Sequence, residues 1–131
     1  MNAGESNIKF IRVDLLKHIE GYSKKRVQTI KRKILSDGIW RKAICIEQNH
    51  LLVLDGQHRL EVAKELGFNF IPCELFDYED VEVWSLRKTE KVSRKLVIER
   101  SLAGNIYPYK TAKHKFPRKI EECSISFEEI K

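Results

Sequence analysis

The sequence predicts a compact domain of mixed α/β (α+β) class, with a small mixed sheet and about three helices over residues 1–131. Its 131 residues suit one domain with a modest core better than two. Hydrophobic residues make up 42% and charged residues 34%, which is typical of folded globular proteins. Short apolar runs that suit strands alternate with segments whose apolar residues recur at helical spacing.

The first two elements are predicted to be a strand and a long helix. Residues 8–13 are apolar and β-branched enough for a strand. Ser23 is suited to cap a helix that continues to residue 37 and stops at Gly38. The apolar side chains of that helix recur at helical spacing: Val27, Ile30 and Ile34.

A hairpin and a second helix follow. Residues 42–47 and 51–55 are short apolar runs, and the polar residues 48–50 between them suit a turn. Residues 58–66 predict a short amphipathic helix that ends at Gly67.

The last part of the chain alternates strands with one more helix. Residues 70–78 and 81–86 predict two strands, and residues 91–103 predict a third helix. Residues 105–120 contain Pro108 and Pro117 and are interpreted as a structured loop. Residues 123–130 favour a last strand.

Net charge and composition limit the kinds of binding partner and the cellular compartments that suit this protein. The net charge is +6, so we expect an anionic partner, either nucleic acid or a phosphorylated small molecule. The first ten residues lack the pattern of a signal peptide, and no apolar run approaches the ~20 residues of a membrane span. We therefore expect a cytoplasmic protein. Cys45 and Cys73 lie in apolar runs and are expected to be buried, unreactive side chains.

The most informative short segment is Asp-Gly-Gln-His-Arg at residues 55–59, where a predicted strand meets a predicted helix. Gly56 permits backbone angles that a Cβ would resist. The first N–H groups of the helix and its dipole would favour an anion, and Arg59 is able to add a bidentate phosphate contact. The alternative is structural: Asp55 caps the helix, and Arg59 is merely solvated.

Two further clusters and one helix carry polar chemistry. His18 and Glu20 precede the capped helix, where a carboxylate can serve as a general base. A second polar cluster lies between the two prolines: Lys110, Thr111, Lys113 and His114. Trp84 is interpreted as a core residue more readily than as a ligand platform. The first helix is rich in basic residues, which suits either DNA phosphates or a solvated face: Lys24, Lys25, Arg26, Lys31, Arg32 and Lys33.

Taken together, these motifs resemble the ParB/sulfiredoxin fold superfamily, and within it the free L-serine kinases. The resemblance rests on three motifs in the same order: the loop with His18 and Glu20, the D-G-x-H-R turn at residues 55–59, and a segment similar to K-[ST]-T-[RK]-H at residues 110–114. It covers nearly the whole chain and implies that the protein phosphorylates L-serine to O-phospho-L-serine, with ATP or ADP as donor and Mg²⁺ as cofactor.

The resemblance also implies roles for individual residues. Glu20 would be the catalytic carboxylate, and Asp55 a second acid that acts through Mg²⁺ or on the serine hydroxyl. The nucleotide would be held by the rest of the turn: Gly56, Gln57, His58 and Arg59. L-Serine would be received by His18, Trp84, Lys110, Thr111, Lys113 and His114.

Some residues depart from the pattern of these families. Ile19 separates His18 from Glu20, Ala112 replaces a threonine and Lys113 replaces an arginine. Gln57 stands where a sulfiredoxin needs its cysteine, which argues against sulfiredoxin chemistry. The alternative from another class is a small ParB-like DNA-binding or nucleotide-sensing regulatory protein without kinase turnover, which would use the basic first helix.

Overall fold

The computed structural model describes residues 7–131, so most of the N-terminal decapeptide used to assess a signal peptide lies outside the described residues. The strands are β1 (Ile8–Arg12), β2 (Ile39–Lys42), β3 (Ile44–Glu47), β4 (Leu52–Asp55), β5 (Phe70–Phe76), β6 (Glu82–Ser85), β7 (Ala112–Lys115) and β8 (Glu122–Ser126). The helices are α1 (Lys24–Asp37), α2 (Gln57–Glu65), α3 (Arg94–Leu102) and α4 (Phe127–Ile130), with 3₁₀ turns at Val13–Leu15 and Tyr78–Asp80. In this part of the chain, no helix combines the length and apolar character needed to cross a membrane.

The central sheet is small and mixed, as predicted. Its strand order is β1-β5-β3-β4, with β3 and β5 parallel and the other two pairs antiparallel. The predicted hairpin at residues 42–55 is the β3–β4 pair. Two further antiparallel ribbons, β2 with β8 and β6 with β7, lie beside this sheet.

Both faces of the central sheet are covered. Every residue of β3 is buried, which explains why Ile44, Cys45 and Ile46 are apolar without alternation; the buried Glu47 ends the strand and accepts the backbone N–H groups of Asn49 and His50. On one face, Ile44 and Ile46 share a core with apolar residues of α1 and α2. On the other face, Cys45 packs in a second core with Val97 of α3. The sheet therefore separates two layers.

The predicted ends of α1 are confirmed in detail. The Ser23 hydroxyl accepts a hydrogen bond from the backbone N–H of Arg26 at 3.1 Å. Gly38 follows the helix with φ of +72°, and its N–H donates to the carbonyl of Ile34 at 3.0 Å. A serine cap and a left-handed glycine thus begin and end the helix, as their types favour.

The two cysteines expected to be buried lie at the centre of the sheet. Cys45 is 2% exposed and Cys73 fully buried. Burial raises the pKa of the Cys45 thiol to about 12 and also raises the pKa of Cys73. Both thiols are therefore protonated and unreactive at neutral pH.

The structure corrects three predictions about elements. Residues 112–115 form β7 rather than part of a loop, because they pair with β6 and both prolines lie outside the strand. Helix α3 begins at Arg94, three residues later than expected, where Ser93 caps it. The predicted last strand stops at Ser126, because a capping box with Glu129 starts α4 there.

Candidate active site

A cleft of about 330 Å³ opens where β4 ends and α2 begins. One wall comes from the β4–α2 turn and α1, and a second wall from Glu20, β7 and the residues before β7. Its lining residues are Glu20, Arg26, Ile30, Leu54, Asp55, Gly56, Gln57, His58, Arg59, Leu86, Tyr109, Lys110, Ala112, Lys113, His114 and Phe116. The structure therefore brings together residues of all three sequence motifs.

Gly56 makes the sharp turn between β4 and α2 possible. Its φ is +121°, a conformation that L residues rarely adopt. A Cβ at this position would also overlap the side chain of Ile44 in β3, with only 2.6 Å to its Cβ. The expected conformational role of this glycine is confirmed, and it has the additional role of letting α2 start directly against the sheet.

The start of α2 presents unpaired backbone donors to the cleft. The first helical hydrogen bond runs from the N–H of Leu60 to the carbonyl of Gly56 at 3.0 Å. Within residues 7–131, the preceding three N–H groups donate no hydrogen bond; they belong to Gln57, His58 and Arg59. These donors and the positive end of the helix dipole favour an anion at this point.

Arg59 is a half-buried cation without a direct partner. Among the described residues, no carboxylate lies within ion-pair distance of its guanidinium, and the guanidinium donates no hydrogen bond. Burial lowers its pKa; Asp55 opposes this effect and Arg26 adds to it. A guanidinium removed from water next to a second arginine is electrostatically unfavourable unless an anion binds beside it.

His58 lies in the same cleft but is not a cation. Its Nε2 accepts a hydrogen bond from the backbone N–H of Ser23 at 3.1 Å, which places the ring proton on Nδ1. Burial, and then the charges of Arg26 and Arg59, lower the pKa of the ring. His58 therefore joins the start of α2 to the cap of α1, and its Nδ1–H is its remaining donor.

The Gln57 side chain is hydrogen-bonded inside the fold rather than left open to a ligand. It is 7% exposed, and its amide nitrogen donates a hydrogen bond to the Val53 carbonyl at 2.5 Å. Its amide oxygen accepts a hydrogen bond from Nδ1 of His18 at 2.6 Å. The backbone N–H of Gln57, rather than its side chain, is thus the group available to an anion.

Glu20 lines the same cleft from the second wall. Its carboxylate accepts hydrogen bonds from the backbone N–H groups of Lys110 at 3.2 Å and Ala112 at 2.9 Å. Lys110 has φ of +57°, a left-handed conformation. Burial raises the pKa of Glu20, and the hydrogen bonds from residues 110–112 only partly offset this effect. The result is a fixed carboxylate that is more basic than usual.

Asp55 is the exposed last residue of β4 and lines the same cleft. It is not the cap of α2: Gly56 occupies the N-cap position, and no side chain accepts a hydrogen bond there. The structural alternative for Asp55 is therefore wrong, because the sharp glycine turn takes the cap position away from it.

The residues of the 110–114 segment are divided between the cleft and the core. Lys110 and Lys113 are exposed and line the cleft. Thr111 is fully buried, and its hydroxyl donates to the Pro108 carbonyl at 2.6 Å. His114 is 8% exposed and its Nε2 lies 2.8 Å from the Tyr78 hydroxyl. Burial lowers the pKa of His114 to about 4, so this ring is neutral.

Three predicted substrate contacts are not brought to the cleft. Both ring nitrogens of His18 are engaged by Gln57 and Glu61. The Thr111 hydroxyl is used inside its own turn. Trp84 is 41% exposed on β6 and lines a separate depression with Val83 and Val92, so it is neither a core residue nor part of the cleft.

Other residues line the cleft that motif reasoning did not select. Arg26 and Ile30 enter from α1, and Tyr109 enters from the segment before β7. The periodicity of α1 placed Ile30 on its apolar face, but only the packing of α1 beside α2 shows that this face reaches the cleft. A second groove of about 290 Å³ continues along α1 and shares Ile30 and Arg59 with the first.

The basic residues of α1 do not act as one uniform face. Lys31 pairs with Glu65 at 3.1 Å, and Lys33 with Asp37 at 3.1 Å. Arg26 lines the cleft, whereas Lys24, Lys25 and Arg32 are exposed.

Fold and site together define an α/β domain whose cation-lined cleft lies at the start of a helix. This is the fold of a free serine kinase solved in complex with AMP, with a TM-score of 0.86 and 15% identity over 95% of this chain and 93% of that chain. A variant of a free serine kinase in complex with ADP also has a TM-score of 0.86, at 14% identity over 97% of this chain and 95% of that chain.

A C-terminally truncated SbnI from Staphylococcus aureus matches with a TM-score of 0.83 and 13% identity, over 98% of this chain and 90% of that chain. The predicted mixed α/β fold, shared with free serine kinases, is thereby confirmed. No protein-family model matches the sequence, and no curated protein matches it.

Proposed function

We propose that this protein is a nucleotide-dependent kinase of a free amino acid, and that the amino acid is L-serine. The observation that carries the proposal is the half-buried, unpaired Arg59 beside the open N–H groups of α2, which together form a site for phosphate oxygens. The proteins of the same fold include free serine kinases solved with AMP and with ADP, which supports this choice of ligand.

The terminal phosphates of ATP or ADP would lie over the start of α2. The N–H groups of residues 57–59 would donate to phosphate oxygens, and Arg59 would bind them as a bidentate cation. Arg26 would add a second positive charge from α1. This arrangement resolves the electrostatic conflict between two neighbouring arginines.

The nucleoside would extend into the second groove along α1. This groove adjoins the phosphate site at Arg59 and has apolar walls from Ile30, Ile34 and Ile39. Asp37 and Glu122 also line it, and carboxylates there suit ribose hydroxyl groups. A groove with apolar sides and a few polar groups is typical of sites that bind a flat base.

Glu20 would act as the general base. Its carboxylate would accept the proton of the serine hydroxyl as the oxygen forms a bond with the terminal phosphorus. The bond from that phosphorus to its bridging oxygen breaks, and the shortened nucleotide leaves with the electron pair. A carboxylate with a raised pKa, held in place by two backbone donors, suits this task.

Asp55 is the residue that would hold Mg²⁺. Among residues 7–131, no group of three or more potential ligands is close enough to hold a metal. Mg²⁺ in kinase sites commonly uses one or two carboxylates together with the phosphates and water, and the exposed Asp55 beside the phosphate site fits that pattern. The bound ion would supply neutralisation of phosphate charge.

The amino acid would lie between Glu20 and β7. Lys110 and Lys113 are exposed cations on this wall, and either is able to pair with the carboxylate of serine. Neutral His114 forms the buried end of the wall. In this proposal β7 contributes charge through Lys113 and shape through His114.

Nucleotide binding tests the phosphate site directly. We expect ADP and ATP to bind the wild-type protein in calorimetry, and Arg59→Ala to weaken binding by about tenfold to a hundredfold because a charged bidentate contact is lost. Arg32→Ala is the matched control: it removes an exposed arginine of α1 outside the cleft and should leave affinity nearly unchanged. Equal affinities of the two variants would refute the assignment of the phosphate site.

A further inference from the structure

His18 lies behind the cleft, in the segment that leads into α1. Its side chain is 14% exposed. Ring Nδ1 is 2.6 Å from Oε1 of Gln57, and Nε2 is 2.7 Å from Oε2 of Glu61. Both contacts are short, and both partners belong to α2.

Both partners of His18 are acceptors. The Gln57 amide donates to the Val53 carbonyl, which fixes its oxygen toward His18. Burial disfavours the ionised form of Glu61, but hydrogen bonds from His18, Tyr22 and Lys64 outweigh it and lower the pKa of that carboxyl. A neutral imidazole donates from only one nitrogen, so two acceptors require a proton on each ring nitrogen.

The same short segment also carries Glu20 to the other wall. Ile19 between them is fully buried, and its carbonyl accepts the N–H of Tyr107 at 2.9 Å. The N–H of Gly21 donates to the Tyr107 carbonyl at 2.8 Å. His18 is therefore bonded to α2 while Glu20, two residues later, is bonded to the segment before β7.

We propose that His18 is a positioning residue that, as an imidazolium bonded to both Gln57 and Glu61, fixes the Glu20 segment against the start of α2. It sets the separation between the carboxylate and the phosphate site without touching substrate. The effect of His18 on catalysis rests on the proposed phosphoryl transfer. The positive charge of His18 and its hold on the segment that carries Glu20 do not depend on that proposal.

The charged surroundings of His18 are consistent with a cation. The ionised Glu61 faces it from α2, and Tyr22 from its own segment has its ring centroid 5.1 Å away and donates to the same carboxylate at 2.9 Å. Lys64 also pairs with Glu61, at 3.1 Å. The nearby His58 is neutral, because burial first, and then the charges of Arg26 and Arg59, lower the pKa of its ring.

Ring protonation is measurable by NMR on the ¹⁵N-labelled protein without any ligand. At pH 7.5 we expect protons on both ring nitrogens of His18 but only one on the ring of His58. In Glu61→Gln, the new amide is able to donate to Nε2, so His18 should lose one ring proton. A singly protonated His18 ring in the wild-type protein would overturn the proposal.

Amide hydrogen exchange measures how firmly His18 holds the segment that carries Glu20. In His18→Gln, the N–H groups of Lys110 and Ala112, which donate to Glu20, should exchange about tenfold faster. His50→Gln, in the β3–β4 turn, is the matched control and should leave these rates unchanged. Unchanged rates at residues 110 and 112 in His18→Gln would also overturn the proposal.

Turnover separates this inference from the proposed function. If wild-type protein phosphorylates serine, His18→Gln should lower kcat while the KM for nucleotide stays nearly constant, and an unchanged kcat would contradict the inference. If wild-type protein fails to phosphorylate serine, the proposed function fails, and the ring protonation and exchange rates still decide the role of His18.

Discussion

At the scale of single residues, Gly56 has the most restrictive environment in the cleft. It combines φ of +121° with a Cβ position that the Ile44 side chain already occupies. Gly67, which follows α2, has φ of +70° but open space around its Cβ position. The two glycines therefore separate the effect of backbone strain from the effect of crowding.

We expect Gly56→Ala to lower the free energy of unfolding by about 3 kcal/mol, because strain and overpacking add. Gly67→Ala, the matched control, carries only the strain of about 1–2 kcal/mol. Urea denaturation of the two variants provides the comparison. If Gly56→Ala is no more destabilising than Gly67→Ala, the close approach of α2 to β3 is wrong.

Residue types predicted where the cleft lies better than they predicted which side chains face it. The order Asp-Gly-Gln-His-Arg identified a helix start, and Glu20 and Lys110 do line the same cleft. Thr111 and Gln57 have polar side chains that suit a ligand, yet both are used inside the fold. Whether such a side chain is hydrogen-bonded inside the fold or open to a ligand depends on the local backbone conformation. The residue types alone do not specify that conformation.

At the scale of elements, the wall that carries β7 is held by an ion pair between a buried carboxylate and an exposed arginine. Glu74 in β5 is fully buried, and its Oε1 accepts from Arg118 at 3.1 Å. Its Oε2 accepts the backbone N–H of Glu121 at 3.0 Å. The Arg118 guanidinium also lies over the Phe76 ring, 4.2 Å from its centroid. These contacts fix the chain that follows β7 to the central sheet.

Arg118→Ala should destabilise the protein by about 2–3 kcal/mol, because it leaves the Glu74 carboxylate buried without its cation. Arg12→Ala is the control: it breaks an ion pair of 2.7 Å with Asp14 that is exposed on both sides. Chemical denaturation should show almost no change for the control. Equal destabilisation by both substitutions would contradict the role given to the pair of Glu74 and Arg118.

Elements with local signals were predictable, and those without them were not. Ser23 and Gly38 give the ends of α1 by their own chemistry. By contrast, β7 (Ala112–Lys115) exists because it pairs with β6. Its sequence, flanked by prolines and rich in lysine, carries no strand pattern. Short elements that depend on a distant partner lie beyond the reach of periodicity.

At the scale of the whole molecule, burial of His114 links stability to pH. Its ring packs in the second layer, and its pKa is lowered to about 4 from 6.5. Between these values the unfolded chain binds the proton and the folded protein does not. Stability is therefore fully present above pH 6.5 and falls as pH drops toward 4.

We expect the wild-type protein to lose up to about 3 kcal/mol from this group across that range. His114→Gln removes the titrating group and keeps a polar side chain near Tyr78. The variant should therefore lose less stability over the same pH range, by up to about 3 kcal/mol. Denaturation at a series of pH values measures the difference. Parallel curves for the two proteins would show that His114 is not buried as described.

The alternation of apolar runs and amphipathic segments was sufficient to predict the mixed fold class, because both layers pack on one sheet. The choice between nucleic acid and nucleotide was not contained in the net charge of +6. It depends on where the cations lie: Arg26 and Arg59 meet at one cleft, whereas Lys31 and Lys33 are paired with carboxylates.

Phosphoryl transfer to free L-serine is the most direct measurement of the proposed activity. Purified protein is incubated with L-serine, Mg²⁺ and either ATP or ADP, and O-phospho-L-serine is measured by mass spectrometry. We predict product with at least one nucleotide, and a decrease of about 10²–10⁴-fold in Glu20→Gln, which should still bind nucleotide. Absence of product with both nucleotides would contradict the proposed kinase function, and full activity of Glu20→Gln would contradict the role of Glu20 as general base.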